Sequence, residues 1–182
     1  MKRLTGVGVA AIAIVIAWSA VPGIAGAQCT ATGSGDTCTV AGSASMTAGR
    51  VVRLQMSAGS TALTAPTTAD FDAGFNATTG PTLTVSANAP WMLQLRSATA
   101  FWTATNTSPS APARTTKPPG DLKWSTVSNG TFSALTTGDV TLVSGSATAS
   151  SATTIYFETL YDWTLDTPGN YSLSVVLTLI AP

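Results

Sequence analysis

Few side chains in this 182-residue chain can take part in acid–base or metal chemistry: there is no histidine, there are two cysteines, and eight Asp and Glu face eight Lys and Arg. Without imidazole, a histidine base, a histidine metal ligand and a Ser-His-Asp or Cys-His relay are all excluded. The sharpest remaining motif is Asp70-Phe71-Asp72-Ala73-Gly74, two carboxylates at i and i+2 followed by a glycine. A calcium loop opens in this way, which makes Asp70 and Asp72 the candidate metal ligands. The bidentate Glu that would complete such a loop does not follow, and the alternative is an Asx-turn connection that tucks Phe71 and Phe75 under a sheet edge. Asp162 and Asp166 form a second carboxylate pair, near Glu158. Two carboxylates can hydrolyse a glycosidic bond, but the simpler role here is for one of them to cap backbone N–H groups of a turn. No residue is therefore assigned as catalytic, and the chain is expected to be non-enzymatic and to need no cofactor.

Aromatic side chains supply the other candidate chemistry. Rings stack on the apolar face of a pyranose, so an exposed Trp or Tyr can serve a glycan-binding surface. Trp102 and Tyr156 are the candidates, because Trp91, Trp124 and Trp163 fall in register with apolar strand positions. A tryptophan in a secreted β domain more often packs the core. Asn76, Asn106, Asn129 and Asn170 each open an Asn-x-Ser/Thr sequon, which matters only in a host that glycosylates there.

Cys29 and Cys38 enclose TATGSGDT, a run of turn formers. In an oxidising compartment they are expected to form a disulfide. Closing a ring of this size constrains the unfolded chain by roughly 2.5 kcal/mol on the chain-entropy model. The spacing is not the C-x-x-C of a redox-active pair. Residues 28–48 are read as a disulfide-closed N-terminal hairpin.

The compartment follows from the first residues. Lys2 and Arg3 precede an apolar run, Val7 to Ala17, and then Ala25-Gly26-Ala27. A charged start, an apolar middle and a small-residue exit make a cleavable signal peptide over residues 1–27. The run is shorter than the roughly 20 residues that span a bilayer, so no membrane span is expected after cleavage. The product is expected to be secreted or extracytoplasmic, in the periplasm or at the cell surface. From Gln28 onward there are 49 Ser and Thr but only 14 charged residues, six basic and eight acidic. That balance leaves no basic face for phosphates and no nucleic-acid partner.

The elements that must position these residues are strands. Apolar residues alternate with polar ones in Val52-Leu54-Met56, Leu83-Val85, Trp91-Leu93-Leu95, Leu122-Trp124, Val140-Leu142, Ile155-Phe157-Thr159-Tyr161-Trp163 and Tyr171-Leu173-Val175-Leu177-Leu179. Period two over short runs with turn residues between them predicts an all-β antiparallel sandwich. Residues 28–182 are read as one such domain. Nowhere after Ala27 does a helical period persist for three turns.

Three connections are expected to shape that domain. Asn88-Ala89-Pro90 reads as a tight hairpin between the Leu83 and Trp91 strands. Thr167-Pro168-Gly169-Asn170 reads as a type II turn that pairs the Ile155 strand with the last strand. Residues 106–120 carry four prolines and no apolar period, and are expected to form a surface loop.

The run from Asp166 to Leu179, with Gly169-Asn170-Tyr171 before a Val- and Thr-rich strand, and the Asn88-to-Leu95 segment resemble parts of bacterial secreted pilin-like domains of the spore-coat-U and fimbrial-subunit type. The resemblance covers mainly the C-terminal half of the chain. It implies an immunoglobulin-like β-sandwich and a structural or adhesive role, that of an appendage subunit. The local Cys29–Cys38 ring departs from the pattern of strand-donating subunits, whose cysteine pair spans two strands. The expected partners are further copies of the chain, other surface proteins or a glycan, the alternative function being that of a carbohydrate-binding module. The last strand, with Tyr171, Leu173, Val175, Leu177 and Leu179, carries no charge and is the candidate assembly edge.

Overall fold

The computed structural model describes residues 29–40 and 42–182, so the expected signal peptide lies outside the described residues. The chain divides into two units after Thr47. In the first, Cys29 and Cys38 form the expected disulfide, closing a loop with a turn at Ser34 and Gly35. The described residues of this loop contain no strand, so the ring is not the hairpin the sequence suggested.

The second unit, residues 48–182, is built mainly of antiparallel strands. In chain order they are β1 (Val52–Met56), β2 (Phe75–Ala87), β3 (Trp91–Ser97), β4 (Thr103–Asn106), β5 (Leu122–Ser125), β6 (Ser133–Ala134), β7 (Val140–Gly145), β8 (Thr148–Leu160), β9 (Gly169–Ser172) and β10 (Val175–Ile180). A short helix, α1 (Thr68–Ala73), precedes β2, and a 3₁₀ turn, Pro119–Asp121, precedes β5. One sheet has the order β1-β2-β8-β5-β6, a second has the order β10-β3-β7, and β4 and β9 form a two-stranded ribbon. No helix among the described residues is long and apolar enough to cross a membrane.

Alternation along the strands builds the core. Leu83 and Val85 of β2, Leu122 and Trp124 of β5, and Ile155 and Phe157 of β8 are buried from the first sheet. Trp91, Leu93, Leu95 and Leu142 are buried from the second, and all ten residues belong to one apolar cluster. Each sheet thus turns one apolar face to a shared interior; the alternate positions are Thr82, Thr84 and Ser86 on β2 of the first sheet and Met92, Gln94 and Arg96 on β3 of the second, all half-buried.

Three features of the connections differ from expectation. Asn88-Ala89-Pro90 is not a hairpin loop: β2 pairs with β1 and β8, and β3 pairs with β10 and β7. The segment therefore carries the chain from one sheet to the other, and the Asn88 side chain ties it down by accepting from Val51 N–H and donating to the Gly49 carbonyl. Nor does β8 pair with the last strand. The Tyr171–Leu179 run divides at Leu173-Ser174, so that β9 pairs with β4 and β10 pairs with β3.

The third concerns Gly169. It has no positive φ, so Pro168-Gly169 does not make the type II turn. A Cβ there would lie 2.6 Å from the Ala113 Cβ. Glycine is needed at this point for close approach of two chain segments rather than for backbone conformation.

Candidate functional site

Two features stand out in the second unit. One is the sheet edge at β10, unpaired among the described residues, with the groove beside it. The other is a cleft lined by aromatic residues and floored by buried charges.

Among the described residues β10 is an edge strand, paired only with β3 and in unbroken register from Val175↔Ser97 to Ile180↔Met92. Its sequence, VVLTLI, contains no Lys, no Pro and no bulge, which are the usual protections of such an edge. Val175, Leu177 and Leu179 pack toward the core. Next to the edge opens a groove of about 540 Å³, lined by Leu63, Trp102, Ile155, Leu173, Val175 and Leu177 among others. Of the expected assembly residues, Val175, Leu177 and Leu179 lie on this edge, Leu173 lies in the groove, and Tyr171 belongs to the β4–β9 ribbon.

The cleft holds what sequence reading passed over. The Pro-rich stretch 106–120, expected to be a surface loop, instead sends Ala113 and Lys117 inward, Lys117 being only 2% exposed. Asn106 anchors the stretch by accepting from Ala113 N–H at 2.8 Å, and the Tyr171 hydroxyl accepts from Arg114 N–H at 2.9 Å. Lys117 Nζ donates to both oxygens of Asp166 at 2.9 Å and to the Leu160 carbonyl at 2.9 Å. Arg114 bridges Asp166 at 3.0 Å and Asp121 at 3.2 Å, and Lys117 also reaches Asp121 at 3.2 Å. Two cations face two anions, so the cluster is neutral as a whole. Burying a lysine is costly unless it is paired and hydrogen-bonded, and here both conditions hold.

A cleft of about 630 Å³ lies over this floor, walled by Phe71, Trp102, Tyr161 and Trp163. α1 positions the Phe71 wall. Thr67 caps its N-terminus in a capping box: its hydroxyl accepts from Asp70 N–H, and Asp70 accepts in return from Thr67 N–H at 2.7 Å. Gly74, with φ of 80°, ends the helix in the left-handed conformation. Phe71 then stacks on Trp163 with ring centres 4.7 Å apart and on Tyr161 at 5.4 Å.

The proposed carboxylate sites resolve into local bonding. The hydrogen bonds from Thr67 hold the Asp70 carboxyl below its usual pKa. Asp72 accepts from Trp163 Nε1 at 3.1 Å. Among the described residues no three Asp, Glu, Cys or His side chains converge as a metal would need. The expected Asx-turn is the helix α1, and Phe75, expected beneath an edge, is exposed. Asp162 caps the turn after β8, accepting from the Thr164 hydroxyl and from the backbone N–H groups of Thr164 and Leu165, and this lowers its pKa. Its partner Asp166 sits instead in the buried cluster.

The aromatic candidates are reordered. Trp102 is 4% exposed, and its Nε1 donates to the Pro118 carbonyl at 3.0 Å, so although it borders the groove and the cleft, too little of its ring is open to serve as a stacking platform. Tyr156 is half-buried on the opposite face of β8 from Ile155 and Phe157, beside a shallow hollow that includes Asn129 and Phe132. Trp163, expected in the core, is 58% exposed, because β8 ends at Leu160 and the strand alternation stops there. The missed residues had one signal: in a chain this poor in charge, Arg114 and Lys117 both stand in a proline-rich loop, with Asp121 four residues after Lys117.

Compared with protein-family models and with curated proteins, the chain matches none.

Proposed function

We propose that this protein is a non-enzymatic extracytoplasmic structural subunit, an immunoglobulin-like β-sandwich of the pilin-like kind, that associates with further copies of itself through the edge of β10. The observation that carries this reading is an uncharged, unbulged edge strand beside a groove lined by apolar side chains and hydroxyls. An extended peptide added to such an edge gains main-chain hydrogen bonds and places alternate side chains in the groove.

The occupant is an extended segment of a second copy, residues 39–47. There Val40, Gly42, Ala44 and Met46 alternate with small or hydroxylated residues. Val40 and Met46 are exposed, and no described residue of the segment belongs to a strand. The signal-peptide pattern of residues 1–27 and the Cys29–Cys38 disulfide support a place outside the cytoplasm. The non-enzymatic reading is supported by the engagement of the candidate carboxylates: Asp70 in a helix cap, Asp162 in a turn cap and Asp166 in an ion-pair cluster.

Electron microscopy and size-exclusion chromatography of the purified mature chain test the proposal. Oligomers or filaments are expected, and they should disappear in Thr178→Lys, which puts a charge on the outward face of the edge. Monodisperse monomers of the unaltered chain at high concentration would overturn it.

A further inference from the structure

The cleft over the buried charges contains a polar group with nothing to bind. Thr159, the last inward-facing residue of β8, is 4% exposed and lines the cleft, and its hydroxyl has no hydrogen-bond partner among the described residues. The Tyr161 phenol is near it, without the geometry of a hydrogen bond, and is itself only weakly engaged, with the Thr64 carbonyl at 3.4 Å. Buried hydroxyls are normally satisfied. One that is not, in a cleft of ligand size, points to a hydroxyl supplied from outside.

Two further observations define what brings that hydroxyl. The first is the Trp163 platform. Its ring is backed by Phe71 at 4.7 Å with 30° between the planes and is fixed in rotation by the bond from Nε1 to Asp72. With 58% of the residue exposed, the indole keeps an open surface. The second is the neutral floor, where Lys117 and Arg114 are matched by Asp121 and Asp166 at 2.9–3.2 Å. Within that floor no charge is left unbalanced to select an anion or a cation, and the Asp72 carboxylate on Trp163 Nε1 disfavours an anion at the platform.

We propose that this cleft binds a neutral pyranose, stacked on Trp163 and hydrogen-bonded through one of its hydroxyls to Thr159. A sugar ring offers both things the cleft lacks: an apolar C–H face that lies flat on an indole, and hydroxyl groups that donate and accept. The site is separate from the β10 edge, so it stands or falls independently of assembly.

The test is binding of neutral oligosaccharides to the full mature protein, followed by calorimetry and tryptophan fluorescence. The probes are gluco-, manno-, galacto- and N-acetylglucosamine-built oligomers, with polygalacturonate as the charged comparison. At least one neutral oligomer is expected to bind with a change in fluorescence. Trp163→Ala should weaken it at least tenfold. Thr159→Val should weaken it about fivefold, the loss of one ordinary hydrogen bond, while leaving thermal unfolding unchanged or raised, because the hydroxyl it removes bonds nothing within the protein. Failure of every neutral oligomer to bind, binding that survives both substitutions, or binding of polygalacturonate alone would overturn the proposal.

Discussion

Asp166 is the residue on which most of the interior electrostatics converge. It accepts from Lys117, Arg114 and the backbone N–H of Asp162, so its removal leaves two inward cations facing Asp121 alone. Asp166→Ala should cost about 3–5 kcal/mol, the usual consequence of orphaning a buried charge. Lys117→Met should cost less, since Arg114 still compensates Asp166 and the methionine fills the space. Urea unfolding of the two variants measures the difference, and equal losses would contradict the assignment of Asp166 as the hub. Tyr161 gives a second prediction. Burial pushes its phenol above the ordinary 10.0, with the charges of Asp70 and Asp166 adding to the effect. A group raised in the folded state contributes stability that is complete below the unfolded value near 10 and is lost as pH rises through the higher folded value. Ultraviolet absorbance titration should therefore show one tyrosine ionising late, and Tyr161→Phe should remove that component.

Elements were legible in the sequence wherever one face of a strand is buried. Leu83-Val85, Trp91-Leu93-Leu95, Leu122-Trp124 and Ile155-Phe157 turn inward as their alternation requires. Where the strands pair was not legible, because alternation records which face is buried and says nothing of the neighbour. That is why the Asn88–Pro90 connection read as a hairpin and the Tyr171–Leu179 run read as one strand. α1 was missed because six residues are too few for a periodic signal, although Thr67 and Asp70 stand at capping-box spacing. The β4–β9 ribbon rests on Gly169, where a Cβ would also meet the Thr105 carbonyl oxygen at 3.1 Å. Gly169→Ala should cost about 1–3 kcal/mol through overpacking, read as a lowered urea midpoint with an unchanged slope. A neutral result would mean that Ala113 yields easily.

At the scale of the whole molecule, the apolar cluster, among the described residues, draws its members from residues 48–182. A chain starting at Ala48 should therefore keep the β-type circular dichroism and the cooperative unfolding of the mature protein; loss of the transition would show that the N-terminal unit is needed for folding. Reducing the Cys29–Cys38 disulfide should likewise leave that transition in place. Composition and alternation alone determined the β-rich class, the inward residues of most strands and the disulfide, since all three depend on residue type and near spacing. Only the tertiary structure decided that Lys117 lies buried against an Asp 49 residues away in sequence, that Trp102 is interior, and that Trp163 is open to solvent. Those outcomes depend on which distant segments close over one another, and a loop of prolines and hydroxyls carries no local record of what will cover it.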